Sequence, residues 1–127
     1  MKEIWPSGWK ASGHYVPGMI SRGVLYVSGQ LPLDHQTGKI VEGGIAAQTQ
    51  MALENVEAVL SAAGTTCGAV VSCRVYIPDV CHWNEVNRVY AAFFGNHKPS
   101  RVMIPTRDLH HGAMVEIEAI AEVEEHQ

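Results

Sequence analysis

The chain is poor in charge, and poorest in positive charge. Only 17% of its residues are Asp, Glu, Lys or Arg, whereas a small soluble domain usually carries about 25%. Part of the surface is therefore expected to lie against other subunits. Nine basic residues stand against thirteen acidic ones, a formal charge of −4. The basic residues are scattered, and three glutamates fall in the last six positions, Glu122 to Gln127. A nucleic-acid partner requires a basic face to neutralise phosphates, so RNA or DNA is disfavoured as the main partner.

Other absences narrow the field further. No apolar run approaches the ~18 residues of a membrane span. The opening Met1-Lys2-Glu3-Ile4-Trp5-Pro6 lacks the unbroken apolar stretch of a signal peptide. A soluble cytosolic protein without a membrane partner is expected. The three cysteines, Cys67, Cys73 and Cys81, form no CxxC pair and are odd in number, so free buried thiols in a reducing compartment are expected. The seven histidines offer no HxH or HxxxH spacing. His110 and His111 are adjacent, and on a strand they would point to opposite faces, so no metal is expected. The phosphate-binding patterns GxGxxG and GxxxxGK[ST] are missing. Ser28 lies in no nucleophile elbow, and none of the cysteines stands out as a nucleophile.

What the chain does have is enough apolar residue, 46%, to fold. No repeat or linker divides it, so residues 1–127 are expected to form one domain. Residues 1–13 read as an irregular arm that Trp5 and Trp9 pack down. Tyr15 to Ile20 and Val24 to Ser28 read as strands joined by the turn Ser21-Arg22-Gly23, and Leu31 to Gly44 as a loop. From Ile45 to Ala63 the period becomes helical, with Ala52, Val56, Val59 and Ala63 on one stripe and Gly64 as the stop. Gln48, Gln50, Glu54 and Glu57 lie largely off that stripe. Val70 to Ile77 reads as a strand closed by Pro78, and His82 to Phe94 as a helix ending at Gly95. Arg101 to Ile104 is a short strand, and Met114 to Val123 alternates cleanly. The order ββαβαββ suits an α+β sheet with both helices on one face, and its other face must be solvated or covered.

Three features could carry chemistry. Glu116 and Glu118 project from one face of the last strand, about 7 Å apart; they either face water or line a pocket. Arg101 opens a short apolar strand, as a rim ion-pair partner or as a fork that holds a small carboxylate in bidentate fashion. Combined with a glutamate that positions water, that fork would suit hydrolysis of a small acid. Ser28-Gly29-Gln30 ends a strand, where the glycine either makes a turn or lets a ligand approach the backbone.

Several stretches carry a resemblance: Ser28-Gly29-Gln30-Leu31-Pro32 with Thr37-Gly38; Gln48 through Gly64; Val86-Asn87-Arg88-Val89-Tyr90-Ala91-Ala92-Phe93-Phe94; Lys98-Pro99-Ser100-Arg101; and Val115-Glu116-Ile117-Glu118-Ala119-Ile120-Ala121. In this order they resemble the RidA family (YjgF, reactive intermediate deaminases, formerly grouped as L-PSP endoribonucleases) over nearly the whole length. The resemblance implies a chorismate-mutase-like α+β fold, a homotrimer with ligand clefts between subunits, and no metal or organic cofactor. It implies hydrolysis of 2-enamino or 2-imino acids, such as 2-aminoacrylate, to a 2-keto acid and ammonia. The carboxylate-binding arginine falls on Arg101 and the water-positioning glutamate on Glu116. Backbone contacts fall on Gly29, beside Ser28, and on Met103; Tyr15 and Asn87 line the cleft. An imine carbon is already electrophilic, so anchoring the acid and orienting one water suffice without a covalent nucleophile. Departures from the family pattern are His14 and His110 in place of prolines, Pro17 in place of a polar residue, Met103 in place of a frequent cysteine, and the Trp5/Trp9 arm. They leave open a non-catalytic trimer that senses keto acids; a ribonuclease has only the old family label behind it.

Overall fold

A computed structural model describes residues 1–10 and 12–124. The chain runs β1 (Lys2–Ile4), β2 (Gly18–Ser21), β3 (Val24–Gln30), β4 (Leu33–Asp34), β5 (Lys39–Ile40), α1 (Gly44–Ala62), β6 (Val70–Ile77), α2 (Trp83–Phe94), β7 (Ser100–Pro105) and β8 (Glu116–Glu122), with short 3-10 turns before β6, α2 and β8. Six strands form one mixed sheet in the order β1-β2-β3-β8-β6-β7, and β4 pairs with β5 as a separate small hairpin. The expected ββαβαββ core is present as β2, β3, α1, β6, α2, β7 and β8. Two additions correct it: the strand β1 inside the arm expected to be irregular, and the hairpin inside the loop after β3.

Each addition has a local cause. Ile4 is buried against the core, and its strand pairs antiparallel with β2. Three residues are too few for a period to show. The β2 strand starts at Gly18 rather than Tyr15, because the preceding segment is diverted: the Ser28 hydroxyl donates to the Val16 carbonyl at 2.6 Å, and the Ser28 amide to that of Pro17 at 2.9 Å. The β4–β5 hairpin is tied to α1 by the buried Asn55, whose amide donates to the carbonyls of Leu31 and Leu33 at 3.1 and 2.8 Å.

Both helices cover the same face. In α1, Ala52, Leu53, Val56, Val59 and Leu60 are fully buried on a helical spacing, against Leu25, Val27, Ile117, Ala119 and Ala121 of β3 and β8 within one core cluster. Fully burying each leucine or valine contributes about 1.5–3 kcal/mol. Gln48, expected off the stripe, is buried too, because its carbonyl accepts the Met114 amide at 2.8 Å and fastens the start of the last strand to α1. The alternation of β8 holds throughout: Ile117, Ala119 and Ala121 are buried, while Glu116, Glu118 and Ile120 lie half-buried on the bare side. That bare face also carries Tyr26, Ser72, Arg74, Tyr76 and Val102, with Tyr26 49% and Val102 45% exposed.

Candidate functional site

The sheet register decides where the candidate residues go. Strand β7 runs parallel to β6 and places Arg101 beside Cys73 and Met103 beside Val75. Laddered neighbours point to the same side, and Cys73 and Val75 are core residues. Arg101 and Met103 therefore belong to the helix-bearing face, at the edge strand of the sheet. Strand β8 places Glu116 beside Tyr76, on the bare face. Within one chain the two residues are separated by two strand spacings, about 10 Å, and by three residues along the strands, about 10 Å again, and they point to opposite sides. A single chain does not bring Arg101 and Glu116 together.

Each forms its own half-site. At the β7 edge the exposed Arg101 donates from Nη1 to Asn87 Oδ1 at 2.7 Å, and its guanidinium carbon stands 4.9 Å from the centroid of the Tyr90 ring. Asn87 and Tyr90 are three apart on α2 and so share a face. Together they hold the fork from below and from one flank, leaving other N–H donors of Arg101 to face outward. Met103 is buried at the side chain, which leaves its contribution to the backbone of an edge strand. Tyr90, not among the residues that the sequence singled out for the site, is the participant that pattern alone missed. It is indeed buried, yet its hydroxyl makes no hydrogen bond of proper geometry; the buried thiol of Cys73 beside it is a weak partner.

On the bare face the site is built on Gly29. Between Val27, which faces Ala119, and Gln30, which faces Ile117, Ser28 and Gly29 together oppose one residue of β8, a β-bulge of the kind that re-aims side chains. A Cβ on Gly29 would lie 2.6 Å from Glu116 Oε2. The glycine is there because the carboxylate rests on its backbone, which is neither of the two reasons anticipated. Ser28 is committed to the Val16 carbonyl and so braces the loop carrying the exposed Tyr15, whose hydroxyl is 3.4 Å from that of Ser12.

The two glutamates differ in their partners. Glu118 accepts from the Tyr76 hydroxyl at 2.6 Å and from Arg74 Nη1 at 3.2 Å, so its charge is compensated. Among the described residues no hydrogen bond or ion pair engages Glu116. Burial, then the neighbouring charge of Glu118, push its carboxyl above the ordinary value, while His110 acts the other way. A partly desolvated, unpaired carboxylate with raised basicity is suited to accept a proton from water.

Other expectations need correction. His110 and His111 do not lie on a strand: they form a 3-10 turn, with His111 at φ 60° and the ring centroids 3.8 Å apart. Of the cysteines only Cys73 is buried; Cys67 is half-buried and Cys81 exposed, all three as free thiols. Trp9 packs the arm down by stacking on His35, with ring centroids at 3.5 Å, whereas Trp5 is exposed and donates only to Glu3, at 3.2 Å. Among the described residues no helix is long and apolar enough to cross a membrane, and no group of three or more His, Cys, Asp or Glu residues is placed to hold a metal ion.

A mixed sheet with two helices on one side, its bare face ending in a bulge that seats a carboxylate, defines a small α+β domain of the type found in YjgF and RidA structures. The chain belongs to that family: the family model described as Endoribonuclease L-PSP matches residues 7–123. A RutC family protein of Pyrococcus horikoshii is 40% identical over 112 residues, 88% of this chain and 89% of that one. Among solved structures, the Rid family protein YyfA of Yersinia pestis superposes with a TM-score of 0.92 at 37% identity, covering 96% of this chain and 98% of that one. E. coli TdcF, crystallised with bound serine, gives 0.90 at 34% identity over 98% and 100% of the two chains.

Proposed function

We propose that the protein hydrolyses small 2-imino and 2-enamino acids of the 2-aminoacrylate type to 2-keto acids and ammonia, in clefts shared between subunits of a homotrimer in the cytosol. The observation that carries this reading is the division of the site: a braced guanidinium at one edge of the sheet and an unpaired, partly desolvated carboxylate on the opposite face. Neither half is sufficient, and packing a neighbour's bare face against the β7 edge supplies the missing half to each. The apolar groups on that face, Tyr26, Val102 and Ile120, and the low surface charge support such an assembly.

In the assembled cleft, Arg101 grips the substrate carboxylate with its free N–H pair. Asn87 and Tyr90 fix its aim, and the Gly29 and Met103 backbones border the ligand. Glu116 takes a proton from water as the oxygen adds to the C=N carbon. The carbinolamine formed then expels ammonia. The relative crystallised with serine has a small amino acid bound, a ligand of matching size and charge. The acidic chain, without a basic cluster, favours this reading over RNA cleavage despite the family's name.

The test uses two inactive variants. Arg101→Ala and Glu116→Ala are each assayed for keto-acid release from 2-aminoacrylate, generated by a dehydratase and trapped with semicarbazide. Each is expected to lose activity alone. Unfolded and refolded together in equal amounts, they should recover about a quarter of the wild-type rate, the statistical share of clefts receiving both intact residues from different subunits. No acceleration by the wild type would remove the reaction from consideration. Activity without recovery on mixing would refute the shared cleft.

A further inference from the structure

Two hydrogen-bond donors on β6 pass Glu116 by. Tyr76 is paired directly across from Glu116, and Arg74 directly across from Glu118, so these side chains share the bare face. Long side chains reach both their direct and their diagonal neighbours on the next strand, so either donor could engage Glu116. Neither does. The Tyr76 hydroxyl takes the diagonal to Glu118 Oε1 at 2.6 Å, and Arg74 Nη1 donates to the same oxygen at 3.2 Å. Glu118 is thereby drawn toward β6. Glu116 turns the other way, onto the Gly29 backbone of β3, where a Cβ would meet its Oε2 at 2.6 Å. The other titratable groups on the elements around Glu116 are Tyr26 of β3, opposite Ile120, and His110 of the turn before β8; in the assembled cleft Arg101 of a neighbouring copy joins them. The hydrogen bond to Glu118 pushes the Tyr76 phenol above its ordinary value, which keeps it a donor throughout the neutral range.

We propose that Glu118 is a positioning residue for the reaction: it takes up the two donors of β6 that would otherwise engage Glu116, and so keeps the base free for water. The inference rests on the imine-hydrolysis reading above and extends it from the base to the group that guards it. Were Arg74 and Tyr76 to reach Glu116, its oxygens would be occupied and its charged form stabilised, and it would take a proton from water less readily. It would also be pulled off the Gly29 backbone toward β6. Glu118 intercepts both donors two residues further along the strand, without entering the space above Gly29. One face of β8 thus carries two acids with separate duties, one spent on the donors and one left available. With a single acid on that face, Arg74 and Tyr76 would have only the base to turn to.

The experiment compares wild type, Glu118→Ala and the triple variant Glu118→Ala/Tyr76→Phe/Arg74→Met, by steady-state kinetics on 2-aminoacrylate and by carbon NMR titration of the Glu116 carboxyl. In Glu118→Ala the released donors should engage Glu116 and remove part of the base's contribution, lowering kcat roughly 10-fold. KM should stay nearly unchanged, because Arg101 still holds the acid. Removing the donors as well should restore most of the lost rate, a rescue that a merely structural role for Glu118 would not give. The titration needs no turnover. Loss of the Glu118 charge is common to both variants, so the difference between them reports the donors alone. The Glu116 carboxyl should titrate about one pH unit lower in Glu118→Ala than in the triple variant. Should Glu118→Ala not fold, Glu118→Gln with and without Arg74→Met carries the same comparison, since the amide still accepts from Tyr76 while releasing Arg74. Equal rates, or equal Glu116 titrations, in the compared variants overturn the inference while leaving imine hydrolysis standing. An inactive wild type overturns both.

Discussion

Replacing Gly29 with alanine separates stability from turnover in an unusual direction. The new Cβ would stand 2.6 Å from Glu116 Oε2, 3.1 Å from its Cδ and 3.3 Å from its Cγ, where ordinary contact begins at 3.4 Å. The carboxylate must therefore withdraw by about 1 Å. The atom met is the tip of a flexible side chain, so the fold has little to lose. The backbone does not object either, since Gly29 is not among the glycines with positive φ. Alanine at a compatible position narrows the unfolded ensemble and stabilises by about 0.4–1 kcal/mol. A melting temperature equal to or slightly above the wild type is expected.

Activity should move the other way. A displacement of about 1 Å in a positioning group reduces rate by roughly 100-fold. The loss should appear in kcat, with KM within about twofold, because Arg101 and its supports lie on the other face and are untouched. The semicarbazide-trapped release of keto acid measures both constants. Introducing Gly29→Ala into Glu116→Gln closes the cycle: if the glycine acts only through that carboxylate, the double variant is no slower than Glu116→Gln. Turnover within twofold of the wild type, or a further 100-fold loss in the Glu116→Gln background, would refute the assignment.

Substitutions at Tyr90 and at Glu116 probe the half-sites separately. Tyr90→Phe removes a buried hydroxyl that lacks a partner, so stability should hold or rise and KM stay constant; Tyr90→Leu removes the ring beneath Arg101, worth about 0.5–2 kcal/mol, and should raise KM about 2- to 30-fold, as steady-state kinetics would reveal. Glu116 has its carboxyl raised from 4.5, first by burial and then by Glu118, so its protonated form is favoured by folding. Its ionisation becomes a destabilising contribution as pH climbs from about 4.5 through the raised folded value, and is fully developed above it. Glu116→Gln should accordingly melt higher than wild type at pH 7, on the order of a degree or two at so screened a position, with the gap closing near pH 4; equal melting temperatures across the range would contradict the burial argument.

The parts of the fold legible in the sequence were those whose cause is local. Val70–Ile77 is a strand with the anticipated bounds because β-branched residues run straight into Pro78, and β8 shows its buried face by alternation. Hidden parts depend on distant partners. Ile4 needs β2 beside it before three residues become a strand. Gln48 looks like a surface glutamine until Met114, sixty-six positions on, brings an amide to it. The separation of Arg101 from Glu116 was hidden for the same reason, since it follows from β7 lying parallel to β6 in one particular register. An alternating pattern assigns faces within a strand, but not between strands until their pairing is known.

The same distinction explains why the two glutamates of one strand could not be ranked from their spacing. Glu116 and Glu118 share a face, a strand and a flanking alternation, yet the strands that flank β8 treat them differently. On the β6 side, Arg74 and Tyr76 reach Glu118 and satisfy it. On the β3 side, the bulge presents the bare backbone of Gly29 to Glu116, which receives shelter without a counter-charge. A carboxylate that already accepts from an arginine and a phenol has its oxygens occupied; a sheltered and unpaired one keeps them available to a water molecule. Reactivity at this position is thus a property of what β3 withholds. Adding a side chain there should quench it more surely than altering the neighbouring acid.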